Sequence, residues 1–292
     1  MFWGDEQFAF FETILFQALG ESVEVIETQF LSGGDINTAA QVFSSEGVFF
    51  VKWNTADREG MFDSEAQGLD LLRQTDAFDI PGVVGYGQQG DKAYLILEYI
   101  DSGKPTDNYW EVLGQRLAEL HSYTQPKFGL SFNNYIGSLP QENTPTAKGV
   151  EFFFEKRLLP LAGRARYGGM ISSDMLDRFY RLYQRLPEIL PNERPALLHG
   201  DLWSGNVMIN ETGSPALIDP AVYYGYREAE IAFTKLFGGF DQRFYDAYNE
   251  AFPLEENFNE RIPIYNLYPL LVHLNLFGSG YVSGIEKVLK QF

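Results

Sequence analysis

A chain of 292 residues that is 45% hydrophobic and 16% aromatic has material for one large domain or two lobes, and is not a disordered chain. A formal net charge of -18, with no Lys/Arg-rich block against it, excludes a nucleic acid backbone or an anionic membrane as the expected partner. The absence of cysteine excludes disulfides, thiolate catalysis and cysteine metal sites, and three histidines far apart in sequence (His121, His199, His273) argue against a zinc site.

Met1 to Glu6 lacks a basic region and mixes acids with apolar residues, unlike a signal peptide. The apolar stretch Tyr268 to Phe277 is too short to span a bilayer and contains Pro, His and Asn. The expectation is a soluble cytoplasmic protein. Val23 to Leu31 is rich in β-branched residues and reads as a strand. A turn-prone loop, Ser32 to Asn37, follows. Ala39 to Phe43 and Val48 to Trp53 read as a hairpin around Gly47. Met61 to Arg73 has the helical spacing of Phe62, Ala66, Leu69 and Leu72. Ile80 to Tyr86 and Ala93 to Tyr99 are two further strands.

Asp101 to Asp107 is polar, carries Gly and Pro, and marks a boundary. Beyond it, Tyr109 to Tyr123 is a helix with Leu113, Leu117 and Leu120 on one face. Gly129 to Lys148 reads as irregular. Helices are expected near Val150 to Leu159 and Ser173 to Leu186, short strands at Ala196 to Leu198 and Val207 to Ile209, and mostly helix from Tyr226 onward. A β-rich lobe over 1–100 and a mainly helical lobe over 101–292 make an α+β, two-lobed protein-kinase-like fold, with ATP expected in the cleft between the lobes.

The chemistry concentrates at His199-Gly200-Asp201-Leu202-Trp203-Ser204-Gly205-Asn206, followed by Asp219. Phosphoryl transfer to a hydroxyl needs one carboxylate to accept the proton, and an amide oxygen and a second carboxylate to hold Mg²⁺ on the nucleotide phosphates. Asp201 is the candidate base; Asn206 and Asp219 are the candidate metal ligands. His199 is expected to hold the loop rather than do chemistry. Trp203 is a candidate substrate platform, an indole offering a flat apolar face to a sugar, though packing into the lobe accounts for it equally well. Pro220 after the metal Asp stiffens the chain and argues against a mobile switch.

The first hundred residues supply the nucleotide parts. A lone Lys52 at a strand end is more often an ordinary solvated side chain. Glu65 changes that balance, because a carboxylate on an apolar helical stripe needs a cation. The pair predicts a lysine poised for the α- and β-phosphates. Gly33, Gly34, Asp35, Ile36 and Asn37 form a candidate phosphate-covering loop, although a plain turn reads the same way. Glu98, Tyr99 and Ile100 end an apolar strand where backbone groups are expected to read adenine.

The run Leu198 to Asn206 resembles the signature of the fructosamine/ketosamine-3-kinase family. So do Ile218-Asp219-Pro220-Ala221-Val222-Tyr223-Tyr224-Gly225-Tyr226-Arg227-Glu228-Ala229-Glu230, Leu236 to Phe240, Phe128 to Leu130, Asn134 to Gly137, Pro140 to Asn143, Gly33 to Asn37 and Glu65 to Leu69. The resemblance implies ATP- and Mg²⁺-dependent phosphorylation of the 3-hydroxyl of a small or protein-bound ketosamine, a deglycation activity in which the adduct then decomposes. Oligomeric state stays open, a monomer being compatible. An aminoglycoside or choline kinase of the same fold would use the same five residues, Lys52, Glu65, Asp201, Asn206 and Asp219. A non-catalytic nucleotide-binding protein would bind ATP without turnover. A protein kinase is disfavoured, since no Ala-Pro-Glu segment follows Asp219.

Overall fold

A computed structural model describes residues 3–31, 37–56, 58 and 60–292. They form two compact units, Met1–Pro105 with Met208–Ile218, and Thr106–Val207 with Asp219–Phe292.

In the first unit, helix α1 (Trp3–Leu19) precedes strands β1 (Val25–Leu31), β2 (Thr38–Ser44) and β3 (Gly47–Thr55), helix α2 (Met61–Arg73), and strands β4 (Val83–Gln89) and β5 (Lys92–Glu98). The five strands form one antiparallel sheet in the order β1-β2-β3-β5-β4. Period-two alternation along β3 sends Val51 and Trp53 to one face, where they join Phe11, Ile14 and Leu15 of α1 in the core. The Phe11 and Trp53 rings meet edge to face at 5.4 Å. Lys52 is thereby turned to the opposite face. Helix α1 carries Phe8, Phe11, Ile14, Leu15 and Ala18 at helical spacing, but Phe10 also packs against the core and Phe16 is exposed, so the apolar stripe is not sharply bounded in the sequence.

The second unit contains α3 (Tyr109–Ser122) and a small hairpin of β6 (Asn134–Ile136) and β7 (Leu139–Gln141), within the stretch that reads as irregular. Helix α4 (Gly149–Phe152) runs through one π-helical turn (Phe153–Leu158) into α5 (Leu159–Tyr167). Helix α6 (Ser173–Ile189) starts at an N-cap, where the Ser172 hydroxyl accepts from the Met175 N–H at 3.1 Å. Then come β8 (Ala196–Leu198), β9 (Val207–Ile209), β10 (Pro215–Leu217), β11 (Tyr223–Gly225) and helices α7 (Arg227–Phe237), α8 (Gln242–Ala251), α9 (Phe258–Tyr265), α10 (Leu267–Phe277) and α11 (Val282–Leu289). Strand β8 pairs antiparallel with β11, Leu198 facing Tyr223.

The hairpin Met208–Ile218 packs with the first unit, although the sequence puts it among the helices of the second. Asp79 is the reason. Its carboxylate accepts from the Asn210 side chain at 2.9 Å and its backbone carbonyl from the Leu217 N–H at 3.0 Å. Among the described residues, no helix is long and apolar enough to cross a membrane.

Phe11 is fully buried, so Phe11→Ala removes a large apolar contact and leaves a cavity against Trp53. The expected cost is about 3–5 kcal/mol, read as a lowered melting temperature of the sheet-containing unit in a thermal denaturation series.

Candidate active site

The loop 199–206, between β8 and β9, hangs on a buried carboxylate. Glu230, in the first turn of α7, accepts from the Gly200 N–H at 2.6 Å through Oε1 and from the His199 N–H at 3.1 Å through Oε2. The same Oε2 lies 3.0 Å from His121 Nε2, and His121 Nδ1 lies 2.8 Å from the Tyr248 hydroxyl. Burial holds His121 below its ordinary imidazole value. Burial works against the Glu230 carboxylate, but the bonds from His121 and Gly200 outweigh it and hold Glu230 below the ordinary range. The consistent arrangement is an ionised Glu230 and a neutral His121 that donates through Nε2 and accepts from Tyr248.

The turn itself requires Gly200. Its φ is 86°, and a Cβ there would stand 2.0 Å from the Ala221 carbonyl oxygen. The His199 carbonyl accepts from the Ala221 N–H at 2.9 Å, which ties the loop to the chain just after Asp219.

Asp201 follows, half-buried. The Asn206 amide donates to its backbone carbonyl at 2.9 Å and to its Oδ2 at 3.2 Å. Burial and the nearby Asp219 charge push the Asp201 carboxyl up to about 7. Asp219 has φ 54°, a left-handed conformation that few non-glycine residues adopt. With its Nδ2 turned to Asp201, Asn206 presents Oδ1 as the atom that can take a cation. Among the described residues, no cluster of three or more His, Cys, Asp or Glu could hold a metal alone. One amide oxygen and one carboxylate suit a hard cation that completes its shell with phosphate oxygens and water, as Mg²⁺ does.

Asp201 and Gly200 line a cavity whose opposite wall includes Phe233, Tyr268, Val272 and His273. His273 Nδ1 is 2.8 Å from the Pro269 carbonyl, so that nitrogen carries the proton and Nε2 is the acceptor. Burial lowers the His273 value, and the ring packs against Phe237, Tyr281 and Phe277 at 4.7, 5.2 and 5.5 Å. Trp203 is 40% exposed, with its indole laid across Gly205, where a Cβ would come within 2.2 Å of the ring. It is therefore neither packed into the lobe nor solvated on both faces.

In the first unit, Lys52 and Glu65 form the ion pair that alternation and helical spacing predict, with side chains 5% and 11% exposed. Asn37 accepts from the Asn54 amide at 2.7 Å. Gly33, Gly34, Asp35 and Ile36 lie outside the described residues. At the end of β5, the Glu98 backbone N–H donates to the Gly82 carbonyl at 2.9 Å, and its carboxylate accepts from Gly82 at 2.9 Å and Arg73 at 3.3 Å. That N–H is committed to the sheet, and Tyr99 and Ile100 lie beyond that bond.

Sequence reasoning assigned no role to Glu230, His121 or Tyr248. An acid in the first turn of a helix is common for dipole reasons alone, so Glu230 gave no distinct signal. The neighbouring Arg227 and Glu228, left open by the sequence, are structural. Arg227 pairs with Glu193 at 2.8 Å, and Glu228 takes a two-pronged bond from Arg261 at 2.7 and 2.6 Å.

The description "fructosamine kinase" belongs to the family model that matches residues 8–292. A probable ketoamine kinase of Synechocystis sp. is 39% identical over 279 residues, 94% of this chain and 93% of its own. A chloroplastic protein-ribulosamine 3-kinase of Arabidopsis thaliana is 37% identical over 281 residues, 94% of this chain and 84% of its own. The crystal structure of a Haemophilus somnus protein assigned as a fructosamine-3-kinase is similar with a TM-score of 0.87 at 30% identity, covering 96% of both chains.

Glu230→Gln keeps the shape but places an amide NH₂ against backbone donors, so one buried N–H loses its acceptor. The expected loss is about 2 kcal/mol in chemical denaturation near neutral pH. Both shifts carry the same sign. A neutral buried His121 contributes stability that is full above pH 6.5 and declines as pH falls through its lowered folded value. Glu230 contributes stability that is full above pH 4.5 and is lost as pH falls below that. Wild-type stability is therefore expected to fall steadily from pH 6.5 towards pH 4, and Glu230→Gln to show a shallower slope below pH 4.5. Equal slopes would show that the carboxylate is not the group that titrates.

Proposed function

We propose that this chain, which belongs to the fructosamine kinase family, is an ATP-dependent kinase that phosphorylates the 3-hydroxyl of a ketosamine, the adduct a reducing sugar leaves on an amine. The observation that carries the reading is Asp201 on the wall of a cavity, bonded to Asn206 and beside the Asp219 charge. A hydroxyl seated there meets a carboxylate that can take its proton, and the other two residues are those a cation on the nucleotide needs.

In the reaction, Asp201 accepts the hydroxyl proton as the substrate oxygen bonds to the γ-phosphorus. The bond from that phosphorus to the β–γ bridging oxygen breaks, and the electron pair leaves with ADP. Mg²⁺ held by Asn206 and Asp219 would supply charge neutralisation on the phosphates. Lys52, oriented by Glu65, binds the α- and β-phosphates. Backbone groups from Glu98 to Ile100 read adenine, with the Glu98 N–H excluded as the donor. Trp203 offers its exposed face to the sugar or its amine substituent. His273 Nε2 accepts from a substrate hydroxyl or ammonium, its proton being fixed on Nδ1.

A phosphate at C3 is a better leaving group than a hydroxyl, so the product sheds phosphate and then frees the amine, which is a deglycation. The need for ATP limits the site of action to a compartment that supplies it, of which the cytoplasm is one.

A panel of ribulosamines and fructosamines, set against aminoglycosides and choline, tests the substrate class. Turnover confined to the second group would overturn it. Asp201→Asn is expected to lower kcat by about 10² or more while nucleotide affinity stays within a few-fold, since base catalysis contributes on that order. His273→Phe keeps the aromatic packing but removes one acceptor. The expected result is a roughly tenfold rise in KM for the ketosamine, equivalent to about one hydrogen bond, with KM for ATP unchanged.

A further inference from the structure

The segment after Asp219 is held by a buried amide network that the reaction chemistry does not itself use. Asp219 precedes a proline, where the chain is normally extended, yet its φ is 54°. Such a conformation persists only where the surroundings over-determine it. The surroundings here are specific. The Ala221 carbonyl accepts from the Gln141 amide at 3.1 Å, and the Val222 carbonyl from the Asn134 amide at 2.9 Å. Asn134 Oδ1 in turn accepts from Gln141 and from Asn143, both at 2.8 Å. Asn143 Oδ1 accepts from Arg157 at 2.6 Å, and the Glu142 carbonyl accepts from the same guanidinium at 2.8 Å. Asn134, Gln141, Asn143 and Arg157 are all at most 5% exposed.

Arg157 anchors the far end. It projects from the π-helical turn, a form that recurs at functional sites. Its guanidinium lies over the rings of Tyr223 at 3.9 Å, Phe152 at 4.6 Å and Tyr268 at 5.7 Å. Two of those rings, Tyr223 and Tyr268, also line the cavity that contains Asp201, and the Tyr268 hydroxyl donates to Gln141 Oε1. One network therefore touches both the backbone next to Asp219 and the wall facing Asp201. Burying four polar side chains is costly, the more so as Arg157 Nε has no hydrogen-bond partner among the described residues, and apolar residues would fill the same space more stably. What amides provide and methyl groups do not is a fixed position for two particular carbonyls.

We propose that Asn134, Gln141 and Asn143, anchored by Arg157, are positioning residues that set the Asp219 carboxylate for the cation on the nucleotide. They touch no substrate. The proposal rests on the reading of Asp219 as a metal ligand, and its test separates the two.

Gln141→Met keeps the length and removes the amide. Nucleotide binding is measured by calorimetry with and without Mg²⁺, beside melting temperature and turnover. The expected result is ATP affinity without Mg²⁺ within twofold of wild type, a gain from Mg²⁺ at least fivefold smaller than in wild type, and kcat at least tenfold lower. A folded variant with the wild-type gain from Mg²⁺, whatever its melting temperature, overturns the proposal. If Gln141→Met does not fold, Asn134→Asp decides by the same readout, since it keeps the acceptor and sets a carboxylate oxygen in place of the donor to Val222. Arg157→Lys, which retains the charge, is expected to recover part of the Mg²⁺ response that Arg157→Met loses; equal responses count against the anchor. Wild-type nucleotide affinity that ignores Mg²⁺ would remove the Asp219 assignment and the clamp with it. Mg²⁺-responsive binding without ketosamine turnover would overturn the substrate reading alone, and the comparison of variants would still decide the clamp.

Discussion

The second unit depends on one buried carboxylate being charged. Glu230 accepts the backbone N–H groups of His199 and Gly200, and no hydrophobic residue in its place could satisfy those two donors. An ion in that position is tolerable because both of its oxygens accept, one from Gly200 and the other from His199 and His121. The charge does not rest on a cationic partner. His121 is held neutral by burial and acts as a donor, with Tyr248 fixing its tautomer from behind. Arg227 reaches the same Tyr248 hydroxyl at 3.4 Å and stabilises the arrangement from one step further away. The loop bearing Asp201 is thus placed by hydrogen-bond direction rather than by packing volume.

What could be read in the sequence was what local periodicity encodes. Lys52 and Glu65 were legible because period two fixes which face of β3 a lysine takes, and period 3.6 shows a carboxylate on an apolar helical stripe. The bounds of α2 followed for the same reason, while β8 and β9 were placed as the short apolar runs on either side of the Asp201 motif. Strands β6 and β7, three residues each, are too short for alternation to register among the Pro and Asn around them. Their side chains Asn134 and Gln141 stood inside motifs that marked the family, yet nothing local to those motifs shows that their partners are the carbonyls of Ala221 and Val222, some eighty residues away. At Glu98 the strand end could be placed, but which backbone groups remain free there depends on where β4 begins, and Gly82 takes the Glu98 N–H just before β4 starts.

The two aspartates of the second unit sit in unlike environments, and that difference has a cause in the chain. Asp201 follows a glycine that permits the backbone to pass Ala221 closely, which half-buries its carboxylate and puts the Asn206 amide on it. Asp219 is exposed and owes its direction to backbone conformation instead. A base benefits from partial desolvation, which raises its affinity for a proton. A cation ligand benefits from remaining ionised and accessible. Under the proposed assignment of Asp201 as base and Asp219 as cation ligand, the glycine before one and the proline after the other separate the two roles.

These contacts join into one path. Arg227 bonds Tyr248, Tyr248 bonds His121, and His121 bonds Glu230. Glu230 holds the turn at His199 and Gly200, the His199 carbonyl holds Ala221, and Ala221 is held in turn by Gln141. From Gln141 the bonds continue through Asn134 and Asn143 to Arg157. A guanidinium stands at each end, and Asp201 and Asp219 flank the middle. Each cation is held mainly by neutral groups and rings near the path, Arg157 by Tyr223 and Phe152, Arg227 by Phe252 at 3.8 Å and by Glu193 at its outer edge. Losing a member of such a path is costly, because each side chain within it is both a partner and a desolvated group that needs one. That requirement explains why a chain with ample apolar residues keeps so many buried amides around this loop. Apolar packing would hold the helices together, but only directional bonds hold two backbone turns in the register that phosphoryl transfer requires.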